Sequence, residues 1–156
     1  MQTHPQDALE KFIVRAKAAT YVGSGVHSLA RRPGSHDLEF HESPFAYLDS
    51  YFGGSDFIGE EVVYYHQQPV WAMNYYGRIL EPSHITAAEA GLVIKESLSH
   101  MYQEERFLGG FEYATQYGVY HDASQGDFRS FTGKEWIERR GLIVYELHYH
   151  GGVIKD

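Results

Sequence analysis

Residues 57–80 and 131–154 are two versions of one pattern. Displaced by 74 positions, Phe57, Gly59, Glu61, Val70, Tyr75 and Gly77 fall on Phe131, Gly133, Glu135, Val144, Tyr149 and Gly151 without a gap. Displaced by 73, Glu39, Tyr47, Asp49 and Gly53 fall on Glu112, Tyr120, Asp122 and Gly126. One residue is gained between the two blocks, as a bulge or a longer loop requires. A chain of 156 residues with such internal similarity is expected to be a single domain of two pseudo-repeats, about 5–80 and 86–154.

Local patterning says what each repeat should be. Leu9, Phe12, Ile13 and Ala16 recur at helical spacing, which predicts a helix over 5–19, with Pro5 suited to its first turn. Segments 37–42, 45–52, 58–66 and 69–79 are rich in Tyr, Phe and Val and predict four strands, the last two joined near Gln67-Gln68-Pro69. A second helix is predicted over 87–104. Thr86 and Glu89 form a capping box at its start, and Ala90, Ile94, Leu98 and Met101 form its buried stripe. Four further strands follow at 111–115, 117–122, 127–137 and 142–150. The expected fold class is α+β: an internal duplication of a helix plus a four-stranded antiparallel meander, a cystatin-like unit. The two helices would pack on antiparallel sheet about a pseudo-twofold, with the sheets joined or facing.

Bulk chemistry removes several function classes. The chain has no cysteine, so it offers no disulfide framework, thiolate chemistry or zinc-thiolate site. Its net charge of −8, with only isolated Arg31-Arg32 and Arg139-Arg140 pairs, argues against direct nucleic-acid binding. "MQTHPQDALEKF" lacks the regions of a signal peptide, and no apolar run approaches a membrane span. Cytoplasmic residence and no membrane partner are expected. The GSG at 23–25, within a loop expected over 21–36, fits a linker better than a phosphate cradle.

Candidate site residues come from strand alternation. One face of 70–76 carries Trp71, Met73 and Tyr75, matched by Ile143, Tyr145, Leu147 and Tyr149; these are expected to meet the helices. The other face carries Val70, Ala72, Asn74 and Tyr76, matched by Val144, Glu146, His148 and His150. A His-x-His pair with a carboxylate suits a metal. The first repeat has Asn74 and Tyr76 there instead, so a polar sheet face or pocket wall is expected, with no metal or cofactor assigned. Asp49 with Tyr51, or Glu146 with His148, offers acid–base chemistry only if buried, and no catalytic residue is assigned. In the shared FxGxE, the glycines suit a bulge or close backbone approach and the phenylalanines a core; the glutamates suit a cap, a cross-turn pair or, at a pseudo-twofold, one ligand. Thirteen tyrosines add aromatic walls with polar tips.

The segments "RPGSHDLEF", "DSYFGG", "FIGEEVVYY", "PVWAMNYYGRI", "TAAEAG", "RFLGGFEY", "FTGKEWIE" and "VYELHYHGG" carry a resemblance over almost the whole chain. It resembles a bacterial family of a domain with no assigned function, which in some relatives follows a helix-turn-helix region of predicted transcriptional regulators. The chain is expected to start directly with the domain, so no DNA-reading role is carried over. The resemblance implies an accessory unit that senses a ligand or mediates association. The functional expectation is therefore a cytoplasmic module binding a small molecule, lined by Asp49, Tyr51, Asn74, Tyr76, Arg78, Glu146, His148 and His150. The alternatives are a protein–protein or homodimerisation module and an enzyme, metal-assisted through the 146–150 strand.

Overall fold

The computed structural model describes residues 4–22 and 26–156. The GSG at 23–25, expected as a linker, lies outside the described residues, as do the first three. In chain order the elements are α1 (Gln6–Lys17), a π-helical turn at Ala18–Val22, β1 (Val26–Ser28), β2 (His36–Glu42), β3 (Phe45–Gly53), β4 (Phe57–Tyr65) and β5 (Gln68–Ile79). Then come α2 (Ala87–Gln103), β6 (Phe111–Thr115), β7 (Gly118–Asp127), β8 (Ser130–Arg139) and β9 (Leu142–Val153).

All nine strands form one antiparallel sheet in the order β1-β2-β3-β4-β5-β9-β8-β7-β6. This corrects the expected fold class of cystatin-like units, each a helix on its own four-stranded meander. The molecule is mostly sheet, and its two helices are only 12 and 17 residues long. The physical reason lies at β5 and β9. Each is a 12-residue strand that would end its own meander with a long open ladder, which invites pairing. They pair with each other from Trp71–Val153 to Ile79–Tyr145, so the meanders merge. β1, three residues inside the segment expected as loop, adds the ninth strand.

One core lies between the sheet and the helices. Leu9, Phe12, Ile13 and Ala16 of α1, Ala90, Leu98 and Met101 of α2, and Tyr47, Val63, Trp71, Tyr120, Ile137 and Tyr145 of the sheet are buried in it. The Trp71 indole N–H donates to the Phe128 carbonyl at 2.9 Å, tying the β7–β8 turn to β5. Both bonds of the capping box form: the Glu89 amide to the Thr86 hydroxyl at 3.1 Å, and the Thr86 amide to the Glu89 carboxylate at 3.0 Å. No helix among the described residues is long and apolar enough to cross a membrane, which says nothing of strands.

Alternation departs from expectation at the start of β5 and β9. Val70 and Trp71 are both buried, as are Val144 and Tyr145, whereas Ile143 is 46% exposed. The register shifts at Val63/Tyr64 and at Ile137/Glu138, beside these positions, reset the phase of the ladder. The break expected between 122 and 127 is also absent. β7 runs on to Asp127, and the chain turns at Phe128-Arg129, where Phe128 is buried. The residue gained between the repeats is spent here: Gly53 pairs with Phe57, but Gly126 with Phe131.

The glycines of FxGxE have a specific cause. Gly59 lies opposite Tyr75, and Gly133 opposite Tyr149. A Cβ on Gly59 would lie 2.5 Å from the Tyr75 hydroxyl oxygen and 2.6 Å from its ring, and one on Gly133 would lie 2.1 Å from the Tyr149 ring. Each tyrosine lies across its glycine to reach the interior. Gly59→Ala and Gly133→Ala should therefore each cost about 1–3 kcal/mol through overpacking. Gly91→Ala, where a Cβ meets nothing within 4 Å, should instead gain up to about 1 kcal/mol of helix propensity. Urea denaturation of the three variants measures both signs.

Candidate functional site

The inward face of the sheet carries four buried carboxyl side chains, Asp49, Glu61, Asp122 and Glu135. Strand alternation puts Tyr47, Asp49 and Glu61 on that face through the pairs Tyr47–Val63 and Asp49–Glu61. Tyr120, Asp122 and Glu135 are placed likewise through Tyr120–Ile137 and Asp122–Glu135. Buried carboxylates require hydrogen-bond partners, and tyrosines supply most of them. Tyr47 donates to Glu61 at 2.5 Å, and Tyr120 to Glu135 at 2.5 Å. Tyr75 donates to Asp49 at 2.6 Å, and Tyr149 to Asp122 at 2.7 Å. Tyr75 and Tyr149 face each other across the β5–β9 seam.

The halves differ in what completes each glutamate. Glu61 receives the Lys17 ammonium at 3.0 and 3.1 Å and the Tyr21 hydroxyl at 3.0 Å. Lys17 also lies 5.1 Å from the Phe107 ring centre and 5.8 Å from that of Trp71, so its charge meets aromatic faces. Glu135 receives the Tyr145 hydroxyl at 3.0 Å instead of a lysine.

This environment moves the acidities. Burial, then the charge of Glu61, pushes the Asp49 carboxyl up to about 8, against the Tyr75 bond and Lys17. Burial raises Glu135 to about 7, with the Tyr120 bond opposing, and raises Asp122 to about 6, with the Tyr149 bond opposing. Burial and the neighbouring carboxylates push the Tyr47, Tyr75 and Tyr120 hydroxyls well above their usual range, so these remain donors.

Two spaces open onto this face. A cleft of about 550 Å³ lies under the start of α2, with Asp49, Tyr51, Leu38 and Ile79 among its walls. Its mouth is bordered by the Gly53-Gly54-Ser55 turn and by Ala87, Ala90 and Gly91, small residues that keep the helix surface low. An inner chamber of about 80 Å³ reaches Tyr102, Asp122 and Glu135. Tyr21, Phe57, Tyr75, Ile94 and Tyr145 are walls of both.

Of the residues singled out from sequence, Asp49 and Tyr51 line the cleft. The other six gather on the opposite, outer face. Asn74 lies across from His150, Tyr76 from His148 and Arg78 from Glu146. All are exposed except the half-buried Glu146. Glu146 meets Arg78 at 3.3 Å and Lys134 at 3.4 Å. Its partial burial is outweighed by the bonds to Lys134 and Arg78, which hold its carboxyl below the usual range. Among the described residues, no group of three or more His, Asp and Glu side chains is arranged to hold a metal ion. The interior residues Glu61, Asp122, Glu135, Tyr47, Tyr75, Tyr120 and Tyr149 were not marked as a site by strand alternation. The signal for them is the internal similarity of the sequence, which matches these residues between the halves, along with the outlying pair Glu39 and Glu112.

The family model described as domain of unknown function (DUF5680) matches residues 49–154, and the chain belongs to that family. No curated protein and no solved structure matches the chain. The match begins within β3 and runs through β9.

Two outcomes follow from the buried charges. Asp49, Asp122 and Glu135 are weaker acids in the folded state, with pKa values raised by burial, so between about pH 4 and pH 8 it holds more protons than the unfolded chain. Their contribution to stability is full below the unfolded values and is lost as pH rises through about 6 to 8. Urea midpoints should fall from pH 5 to pH 8, and Asp49→Asn should flatten that fall. Lys17→Met leaves Glu61 without its cation and should cost about 3–5 kcal/mol in the same assay, with part recovered by adding Glu61→Gln.

Proposed function

We propose that this member of the family is a small-molecule binding module whose ligand enters the cleft between the sheet and α2. The observation that carries the reading is the cleft itself. Its volume of about 550 Å³ lies within the roughly 300–1,000 Å³ of small-ligand sites, and its apolar and aromatic walls carry few polar groups. Tyr51, Phe57, Tyr75 and Tyr145 supply aromatic surface, and Asp49 lies among them as a buried polar group. Burial and the charge of Glu61 favour the protonated Asp49 carboxyl, a form that can donate as well as accept. A regulatory role, as an accessory unit reporting ligand occupancy to a partner, is consistent with a site under a helix that could shift.

A second reading, acid–base catalysis, is favoured by one observation: burial raises the Glu135 and Asp122 carboxyls to about 7 and about 6 beside the small chamber they line. Association through a sheet edge has less support, because the edge strands β1 and β6 have only three and five residues.

A thermal-shift screen of metabolites tests the binding reading. A ligand at 100 times its Kd should stabilise the fold by about 2.7 kcal/mol. Gly91→Leu, which extends a side chain from the helix at the mouth, should abolish the shift, whereas Gly91→Ala should retain it. A screen without a stabiliser, or a shift indifferent to Gly91→Leu, would refute the cleft as the site.

A further inference from the structure

We infer that the ligand of the cleft is a flat, apolar, uncharged molecule whose inner end is a carbonyl oxygen, received by Tyr51 and Asp49. This deepens the binding reading above and rests on it.

The charge of the interior is the first argument. Lys17 lies among the buried carboxyl side chains, with its ammonium on both oxygens of Glu61. Its charge also acts on Asp49, Asp122 and Glu135, opposing the upward push of burial on each. The chain thus brings its own cation to this interior, and a ligand need not supply one. An anion fares worse. Glu61 pairs with Asp49 across the β3–β4 ladder, and its charge already favours a proton on Asp49. Burying one more charge beside this set costs more than burying a neutral group. Lys95 and His27 also border the cleft, but both are exposed, where water screens them.

The hydroxyls of the cleft are an independent argument. Tyr21, Tyr75 and Tyr145 donate to Glu61, Asp49 and Glu135, and Thr20 donates to the Ala16 carbonyl. Tyr51, a half-buried wall of the same cleft, has no such partner among the described residues. Burial, then the charge of Asp49, raises its pKa, so the hydroxyl keeps its proton and remains a donor. The second half shows the same position satisfied from within the chain. Ser124 stands where Tyr51 stands, each opposite the glycine of its repeat, and its hydroxyl accepts from the Gly109 amide at 2.8 Å.

Asp49 is the neighbour of Tyr51 on the same face of β3, two residues and so about 7 Å away along the backbone. Its Oδ1 accepts from Tyr75 at 2.6 Å, which leaves the proton of the acid form to the other oxygen. Two neutral donors that line one cleft are matched by one uncharged acceptor with two lone pairs, and a carbonyl oxygen is that group. The rings of Phe57, Tyr75 and Tyr145 border the same space and suit a flat body behind it.

The probes are acetylnaphthalene and its counterparts with an ethyl, a carboxylate or an aminomethyl group in place of the acetyl. Calorimetric titration of the intact protein should rank the ketone tightest. Tyr51→Phe removes one oxygen from the cleft wall and should weaken the ketone about three- to tenfold, the weight of one neutral hydrogen bond. The same variant should hold the ethyl probe within about twofold of the parent. Asp49→Asn keeps a donor in place and should hold the ketone within about threefold. In infrared difference spectra the bound carbonyl stretch should lie below its position in hexane, and Tyr51→Phe should return it part of the way, a shift that a merely structural tyrosine would not produce. Thermal melts show which variants fold, and the Tyr51→Phe series decides alone if Asp49→Asn does not. Ethyl, carboxylate or ammonium probes binding as tightly as the ketone, with Gly91→Leu blocking them, would overturn the carbonyl while leaving the cleft as a site. A carbonyl band indifferent to Tyr51→Phe would overturn it too. No binding by any probe would overturn the inference, and a metabolite screen without a stabiliser would remove the cleft reading as well.

Discussion

The pairing of β5 with β9 is the contact from which the rest of the architecture follows. Nine residue pairs join two meanders that would otherwise each end in an open ladder. Because the register sets Tyr75 against Tyr149, two long polar-tipped rings enter the interior side by side. Each reaches outward over a glycine to an aspartate two strands away in its own half. A slip of one residue at the seam would put the two tyrosine-bearing faces on opposite sides of the sheet, leaving one tyrosine in solvent and its aspartate without that donor. The seam therefore sets the interior chemistry as well as the shape of the sheet.

That interior is unusual in what it buries. A core of this size could be filled with aliphatic side chains at lower electrostatic cost, since isolated buried carboxylates lose hydration that apolar residues never had. Here tyrosine hydroxyls replace the lost water. They donate without charge of their own, and their acidity is too weak for the proton to be surrendered. Only Glu61 also receives a full positive charge. The resulting asymmetry sits on a framework whose two halves share the Tyr–Glu and Tyr–Asp bonds at matching positions.

Much of the local structure was legible in the residues. The capping box at Thr86, the buried stripes of both helices and most strand positions rest on short-range chemistry that sequence records directly. How the strands assemble was not legible in the same way. Whether two meanders stay apart or merge depends on the edges of β5 and β9 meeting, and alternation within a strand carries no information about its neighbour. The candidate site shows a sharper version of this limit. Asn74, Tyr76, Arg78, Glu146, His148 and His150 were correctly placed on one face, and the register brings them opposite one another, but that face is the outer one. Searching for polar residues on the side away from the helices led to solvent. The polar residues facing the helices were recorded instead in the identities between the halves, where Tyr, Asp and Glu recur for reasons that core packing alone does not supply.

The boundaries of the recurring family segment acquire a meaning from the interior. Starting at Asp49, that segment excludes Lys17, Tyr21 and Tyr47, the three side chains that satisfy Glu61. It includes Glu61 itself and every donor to Glu135 and Asp122. The stretch of chain that is shared among relatives is thus smaller than the stretch that can be electrically complete. A fragment trimmed to those limits would retain one satisfied half and hand the other an orphaned charge, so the amino-terminal helix belongs to the folding unit even where sequence likeness stops short of it.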